Sequence, residues 1–195
     1  MEEKLVLASS SPRRRELLSQ IGLSFEVAKA YGEEVQRGNT PMEVVQNLAK
    51  DKAKEVCLRY REEGKLLCPT VFLGADTVVS FDDVILGKPA DEQEAYDMIL
   101  SLSGREHQVH TGVCLAKAED DKVMYHCFAE TTTVSVYPIS HEEIMEYIKS
   151  KEPMDKAGAY GIQGTFAKFI KEIKGDYTNV VGLPLGRVYQ ELKNC

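Results

Sequence analysis

The sequence lacks the features that mark several broad classes of protein. Its five cysteines are an odd number and never form a C-x-x-C pair, which argues against a disulfide framework and a zinc site. Residues 1–4 do not have the layout of a signal peptide, and no apolar run approaches the ~18 residues that a transmembrane helix needs. These absences predict a cytoplasmic protein with reduced cysteines and no membrane partner.

A surplus of positive charge is also missing. Lysine and arginine number 24 against 31 aspartates and glutamates, so the net charge is -7. Proteins that coat nucleic acid usually carry a basic surplus, and nucleic acid is therefore not expected as a partner. Metal-ligand spacing is absent from the four histidines, which are His107, His110, His126 and His141. With no repeat or shift in composition, residues 1–195 are predicted to form a single domain with a sizeable core.

What is present begins with residues 8–15, a run of small hydroxyl residues followed by three arginines. Ser11 is a good N-cap and Pro12 suits the first position of a helix that ends at Gly22. Arginines in the first turn oppose the helix dipole, each at a cost of ~0.3–1 kcal/mol. The stretch therefore favours a site for a small polyanion over the alternative, a solvated basic turn.

Further helix and strand signals define the fold class. Capping pairs predict helices that begin at Thr40 with Glu43, Asp91 with Glu94, and Ser140 with Glu143, and Pro184 opens a last helix. Strands are predicted at 5–7, 70–73, 84–86 after a turn at Asp82-Asp83, 106–117, 122–137 and 166–173. Strands and helices mix without strict alternation, which predicts an α/β fold with a mixed sheet.

Three charged residues interrupt apolar surroundings. Asp76 lies between two apolar strand-like runs, where a carboxylate is costly unless it is paired or binds a metal. The alternative is a structural aspartate bonded to the amides of a turn. Lys52 lies on or beside the apolar stripe of the second helix, so it either extends its stem to solvent or points into a cleft. Lys88 is an ordinary turn lysine or a fixed cation at a strand end.

The glycine-rich segment 155–164 contains Tyr160 and Gln163. Such a loop can close on a planar ring, and the glutamine amide offers one donor group and one acceptor for a base edge. A plain flexible connection is the alternative. Several cations, at least one carboxylate and a loop suited to a base together suggest a nucleoside triphosphate, which usually comes with Mg²⁺.

Seven motifs carry a resemblance that runs from Leu5 to Leu192. They are Ala-Ser-Ser-Ser-Pro-Arg-Arg from residue 8, Asp-Lys-Ala from 51, Gly-Ala-Asp-Thr from 74, Gly-Lys-Pro from 87, Leu-Ser-Gly from 102, Asp-Lys-Ala-Gly-Ala-Tyr-Gly-Ile-Gln-Gly from 155 and Val-Gly-Leu-Pro-Leu from 181. In this order they resemble the Maf-like nucleoside triphosphate pyrophosphatases. Gly-Ala-Asp-Thr with Tyr-Gly-Ile-Gln is similar to the branch that prefers dTTP and UTP.

The resemblance implies a mixed twisted sheet flanked by helices, two lobes with a deep central cleft, and a homodimer. It implies hydrolysis of a nucleoside triphosphate to the monophosphate and pyrophosphate, with Mg²⁺ or Mn²⁺ held by Glu34 and Asp76. Arg13, Thr77 and Gln163 match the positions that set the pyrimidine preference, Asp76 matches the catalytic base, and Ser9, Arg14, Lys52 and Lys88 match other active-site positions. Whether Asp76 is base, metal ligand or both stays open, as does Glu33 against Glu34 as the acidic ligand.

Other functions remain as alternatives to hydrolysis. One is a nucleotide-sensing regulator of cell division and septum formation that does not turn its ligand over. Another is single-stranded nucleic acid binding through the arginines at 13–15, which the net charge and the lack of neighbouring aromatic residues disfavour. The physiological nucleotide, whether dTTP, UTP or a modified pyrimidine, is not determined by the sequence.

Overall fold

The computed structural model describes residues 3–82 and 84–195 and is built on a seven-stranded sheet. The strands are β1 (Lys4–Leu7), β2 (Glu26–Val27), β3 (Thr70–Phe81), β4 (Val84–Leu86), β5 (Glu106–Glu119), β6 (Lys122–Val136) and β7 (Ile170–Lys174). Their order is β2-β1-β3-β5-β6-β7, with β4 paired to β3. Strand β1 runs parallel to β2 and β3, whereas the other pairs are antiparallel. The predicted mixed sheet is confirmed.

Helices cover the sheet, and the N-termini of all of them except α5 follow the sequence signals. They are α1 (Pro12–Gln20), α2 (Pro41–Glu62), α3 (Glu92–Leu102), α4 (His141–Lys149), α5 (Tyr177–Val181) and α6 (Leu185–Lys193). Ser11, Thr40, Asp91 and Ser140 are N-caps, as predicted. Of these four N-caps, only Ser140 forms a complete capping box. At the start of α2, the Glu43 carboxylate accepts from the Asn39 amide instead of the amide of Thr40.

The two faces of the sheet are buried against different partners because alternate residues of β3 point to opposite sides. Leu73 packs in the larger core with residues of α1, α3 and α4, among them Leu18, Ile99 and Ile144. Its neighbour Phe72 packs on the other face, against α2. Helix-covered faces on both sides explain why β3 is a nearly continuous apolar run.

Two glycines let α2 lie unusually close to the sheet. A Cβ at Gly74 on β3 would lie 2.1 Å from the carbonyl oxygen of Ala49, and one at Gly112 on β5 would lie 2.3 Å from the carbonyl carbon of Val45. Any side chain at either position would push the helix away. This close approach sets how far the polar residues of α2 reach toward β3.

The segment predicted as a strand at 166–173 is different in the structure. Residues Thr165–Phe169 form a 3₁₀ turn, and the strand begins only at Ile170. Phe166 and Phe169 are three residues apart and both buried, and the Phe166 ring lies 4.6 Å from that of Tyr160. Burial of this aromatic pair on one side of a tight turn outweighs the β-propensity of the segment.

Other details also depart from the sequence-based predictions. Two further 3₁₀ turns were not predicted: Glu152–Asp155 leads into the glycine-rich segment 155–164, and Ala157–Ala159 lies within it. The short elements β2 and α5 were not predicted. Of the predicted turn, Asp82 has a positive φ of 49°, while Asp83 lies outside the described residues. In the described part of the chain, no helix combines the length and apolar character needed to cross a membrane.

The prediction that the cysteines stay unpaired is wrong for two of them. Cys114 on β5 lies directly opposite Cys127 on β6, with 4.1 Å between their Cα atoms, and the two form a disulfide. The free cysteines are Cys57, Cys68 and Cys195. An odd number of cysteines excludes complete pairing but not a single cross-strand pair, which depends on register that the sequence does not reveal.

Candidate active site

One cleft of about 1000 Å³ gathers every residue predicted to belong to the site. These are Ser9, Arg13, Arg14, Glu34, Lys52, Asp76, Thr77, Lys88 and Gln163. They come from the loop after β1, from α1, α2 and β3, from the loop after β4 and from the glycine-rich loop. Strands β1 and β3 are parallel, and Leu7 lies beside Leu73. The residues that follow Leu7 therefore lie next to those that follow Leu73.

At the centre of the cleft, one ammonium group holds two carboxylates. Lys52 Nζ lies 2.5 Å from Asp76 Oδ1 and 2.8 Å from Glu34 Oε1. The side chains of Lys52 and Asp76 are only 17% and 13% exposed, whereas that of Glu34 is 62% exposed. Two charged groups can be this little exposed because each neutralises the other, and both line the cleft.

The position of α2 decides between the alternatives left by the sequence. Because Gly74 and Gly112 let the helix approach the sheet, Lys52 reaches Asp76 instead of extending to solvent. Asp76 therefore has a charged partner, which removes the need for a purely structural role at a turn. Of the two neighbouring glutamates, Glu34 is the one that lines the main cleft and contacts Lys52.

Positive charge around Glu34 stabilises its ionised form. Its hydrogen bond with Lys52 lowers the pKa of the Glu34 carboxyl, and the charges of Lys52, Lys88 and Arg14 act in the same direction against the opposing effect of burial. Glu34 is thus an anion at neutral pH. A second anion at Asp76 would be repelled without the cations around it.

Arg14 is fixed by three different parts of the chain. Its Nε donates to the Gly182 carbonyl oxygen at 2.8 Å, one terminal nitrogen donates to Ser9 Oγ at 3.3 Å, and the other donates to Thr77 Oγ1 at 3.0 Å. Burial lowers the pKa of the Arg14 guanidinium, while the Asp76 charge opposes the shift. The guanidinium stays charged because the ordinary arginine pKa is far above neutrality.

The hydroxyl of Ser9 has its acceptor positions occupied. Ser9 Oγ accepts from the Ser11 amide at 3.2 Å as well as from Arg14. Its own proton therefore remains available to an acceptor in the cleft. This arrangement suits the predicted hydrogen bond from Ser9 to a phosphate oxygen.

The arginines of α1 differ in where they lie. Arg13 and Arg14 line the cleft, and Arg15 is exposed and does not. The anion site inferred from the three arginines therefore uses two of them. Lys88 adds a further cation from the loop after β4.

Glu152 organises the glycine-rich loop and was missed in the sequence analysis. Its carboxylate accepts from the Tyr147 hydroxyl at 3.0 Å and from the amide and hydroxyl of Thr165 at 3.0 and 2.8 Å. A Cβ at Gly164 would lie 1.9 Å from Glu152 Oε1, so only glycine permits this contact. Burial would raise the pKa of Glu152, but the hydrogen bonds from Thr165 and Tyr147 lower it. The loop that carries Gln163 is thereby held on its C-terminal side.

His107 supports the same loop from behind the cleft. Its Nε2 lies 2.7 Å from the hydroxyl of Tyr160, which lines the cleft. Burial lowers the pKa of His107 to about 4, so the imidazole is neutral in the folded protein. His107, for which the sequence predicts no role, is thus a neutral residue that supports the loop.

Lowering the pH from 7 to 5 is expected to reduce the free energy of unfolding by about 2 kcal/mol through His107 alone. Below its ordinary pKa of 6.5, the unfolded chain binds a proton that the folded protein excludes until about pH 4. Urea titrations at the two pH values measure the fall. In the His107→Gln variant, whose side chain is always neutral, the free energy of unfolding should fall by about 2 kcal/mol less than in the wild type. Equal falls in the two proteins would contradict this account.

The donor set fits a divalent cation that is shared with a triphosphate. Glu34 and Asp76 converge on one point, which Lys52 Nζ now occupies. Within residues 3–82 and 84–195, no cluster of three or more acidic, histidine or cysteine side chains could hold a metal by itself. Mg²⁺ is usually bound by one or two carboxylates together with substrate phosphates, and this cleft offers two.

Comparison with known proteins agrees with this geometry. The sequence profile described as "Maf-like protein" matches residues 4–195. A protein named dTTP/UTP pyrophosphatase from Agathobacter rectalis is 50% identical over 97% of this chain and 96% of its own length. Proteins of the same name from Lachnoclostridium phytofermentans and Carboxydothermus hydrogenoformans are 45% and 47% identical, covering 97% of this chain and 94% and 97% of their own lengths.

A solved structure titled nucleoside-triphosphatase / dITP/XTP pyrophosphatase, from Mycobacterium abscessus, is matched over 98% of this chain and 96% of its own. Its sequence identity of 13% and TM-score of 0.39 are too low to support an argument about the site. The near full-length sequence matches do not depend on it. With a family profile that spans nearly the whole sequence and relatives at 45–50% identity, this chain belongs to the Maf-like protein family.

Proposed function

We propose that this protein hydrolyses nucleoside triphosphates to the monophosphate and pyrophosphate, with a preference for dTTP and UTP. The observation that carries the proposal is the Asp76–Lys52–Glu34 group in a cleft that also holds Arg13, Arg14 and Lys88. Such a cleft combines carboxylates with several fixed cations, as a triphosphate and its reaction require. The names of the related proteins support the same substrate class.

The proposed reaction is the attack of water on the α-phosphorus. Asp76 Oδ1 is held by Lys52, so Oδ2 is the atom assigned to accept the water proton. The bond between the α-phosphorus and the oxygen bridging to the β-phosphorus breaks, and pyrophosphate leaves with the electron pair. Lys52, Arg14 and Lys88 are the cations assigned to stabilise the charge that develops on it. Ser9 supplies a further hydrogen bond to a phosphate oxygen.

A divalent cation, Mg²⁺ or Mn²⁺, bound with the triphosphate would neutralise phosphate charge. Glu34 and Asp76 are the residues assigned to hold it. A carboxylate bound directly to a metal is a weaker base, so Glu34 is the better candidate for a direct ligand. Its greater exposure also leaves it free to meet the incoming nucleotide.

Base recognition is assigned to a second set of residues that line the cleft. Gln163 is exposed on the loop held by Glu152, and its amide has both a donor group and an acceptor. Thr77 and Arg13 are the other members of this proposed set, which agrees with a pyrimidine preference.

The direct test is a pyrophosphate assay with the purified full chain and a panel of nucleoside triphosphates, with Mg²⁺ or Mn²⁺. We expect stoichiometric monophosphate and pyrophosphate, with the highest kcat/KM for dTTP, UTP or a modified pyrimidine triphosphate. Addition of EDTA should abolish turnover. Release of inorganic phosphate instead of pyrophosphate would contradict the proposal. Tight dTTP binding without product under either metal would favour the alternative of a nucleotide sensor in cell division.

Two further features implied by the resemblance stay predictions. A homodimer is expected, and light scattering coupled to size-exclusion chromatography measures the mass against the 21.8 kDa of one chain. A cytoplasmic location is expected as well, and fractionation of cells tests it.

A further inference from the structure

A fully buried threonine, Thr111, lies next to Thr77, with 2.9 Å between the two hydroxyl oxygens. We propose that Thr111 is a positioning residue that draws the Thr77 proton into the protein, so that Thr77 presents only an acceptor to the nucleotide base. This inference rests on the proposed function, because it concerns how the same cleft selects its base.

The direction of the proton follows from a chain of three groups. Thr111 Oγ1 lies 2.9 Å from the carbonyl oxygen of Asn179, which can only accept. Thr111 has one hydroxyl proton and must use it there. Thr77 Oγ1 lies 2.9 Å from Thr111 Oγ1, so Thr77 is the donor in that hydrogen bond.

The surroundings leave the Thr77 proton no route to the cleft. Thr111 is fully buried, so the hydrogen bonds it makes are not exchanged for water. The other protein acceptor near Thr77 is the carbonyl oxygen of Gly182, which is 3.5 Å away and already accepts from Arg14 Nε at 2.8 Å, so it competes poorly for the proton. Arg14, which can only donate, lies 3.0 Å from Thr77 Oγ1 and occupies one of its lone pairs.

The Asn179 carbonyl group, where this series of hydrogen bonds ends, is itself held in place. Asn179 lies on α5 and is completely buried, and its side-chain amide donates to the Val109 carbonyl oxygen and to Thr132 Oγ1, both at 3.0 Å. Thr132 in turn donates to the carbonyl oxygen of Asp176 at 2.9 Å. The Asn179 carbonyl therefore has a fixed position, and it determines the polarity of Thr111 and then of Thr77.

The two hydroxyls on either side of Arg14 consequently have opposite polarity. Ser9 accepts from two donors and keeps its proton for the cleft, whereas Thr77 loses its proton to the protein. A phosphate oxygen fits Ser9. A group facing Thr77 must instead carry a hydrogen, as the ring N3–H of uracil and thymine does. Cytosine has an unprotonated nitrogen at that position and would face Thr77 with acceptor against acceptor.

The test compares dTTP and dCTP on the full chain, both by pyrophosphate release and by calorimetric binding. Thr111→Val removes the hydroxyl without a large change of shape and frees the Thr77 proton to turn toward the cleft. We expect the dTTP/dCTP ratio of kcat/KM to fall by about tenfold or more, mainly through KM, and the ratio of the binding constants to fall with it. Thr111→Ser should restore the wild-type ratio, because it keeps the hydroxyl.

Thr70→Val is the matched control. It removes another buried threonine hydroxyl that donates to a backbone carbonyl, that of Cys68, and that makes no hydrogen bond with Thr77, Thr111 or Asn179. It should cost similar stability and leave the ratio unchanged. A ratio that is unchanged in Thr111→Val, or equally reduced in both variants, overturns the proposal.

The outcomes separate this inference from the proposed function. If the wild type releases no pyrophosphate, the proposed function fails, and the binding ratio still decides the role of Thr111. If Thr111→Val does not fold, the wild type is measured with 3-methyl-dTTP, in which a methyl group replaces the N3 proton. We expect its KM to rise by tenfold or more, and an unchanged KM overturns the proposal.

Discussion

The Asp76→Asn variant is expected to hydrolyse dTTP at least about 10³-fold more slowly than the wild type while keeping its fold. Asparagine has nearly the same shape, so the strand and the nearby packing should be preserved. The amide cannot accept the water proton as a carboxylate does, and it removes one negative charge beside Lys52. General-base catalysis alone contributes ~10²–10⁴-fold, and the loss of a proposed metal ligand adds to it.

The variant is checked by pyrophosphate release under saturating dTTP and Mg²⁺, with circular dichroism to confirm the fold. Glu33→Gln is the matched control, since it removes one negative charge from the residue next to Glu34 without touching Lys52. It should retain nearly full activity, whereas Glu34→Gln should lose it in part. Near wild-type turnover by Asp76→Asn would remove Asp76 from the mechanism.

Much of the fold followed from local signals in the sequence. The N-caps at Ser11, Thr40, Asp91 and Ser140 mark helix starts because a side-chain oxygen can satisfy an amide only a few residues away. The two long antiparallel strands β5 and β6 were also predictable, because they follow each other in the sequence and are joined by a tight turn. The two-residue strand β2 has no such signal and depends on β1 beside it.

The residues of the site were found for a different reason. Asp76 and Lys52 stand out in the sequence because charge in an apolar run is costly, and the structure shows that each is the partner of the other. Lys52 and Asp76 are 24 residues apart in the sequence, and they meet because α2 lies close to β3 at Gly74. Spacing alone does not predict such a contact, although the family motifs placed both residues in one site.

Residues that support the site were not predictable in the same way. Glu152 is bonded to Tyr147 and Thr165, which lie 5 and 13 residues away on either side of it. Thr111 resembles any other residue of a half-buried strand until the register of β3 and β5 places it opposite Thr77. The cross-strand cysteine pair is hidden for the same reason. Supporting contacts are set by tertiary pairing, and local sequence patterns do not record it.

Replacing Arg14 with lysine is expected to lower kcat/KM for dTTP by about 10²–10³-fold, even though the charge is kept. The guanidinium joins three elements at once through Gly182, Ser9 and Thr77, and its planar fork meets all three acceptors. A lysine ammonium is a single point at the end of a flexible stem and cannot span them. The variant should also lose roughly 1–3 kcal/mol of stability, because buried acceptors lose a charged donor.

Arg15→Lys is the matched control, as it makes the same change one residue along the same helical turn. Arg15 is exposed and lies outside the cleft, so its replacement should leave both kcat/KM and the unfolding midpoint nearly unchanged. Kinetics with dTTP and urea titration of the two variants provide the comparison. Equal damage from both would contradict this account, because only Arg14 makes the three hydrogen bonds and the charge is kept in both variants. Damage from Arg14→Lys alone would mean that the directed hydrogen bonds of one guanidinium carry the effect, which is the result that the geometry predicts.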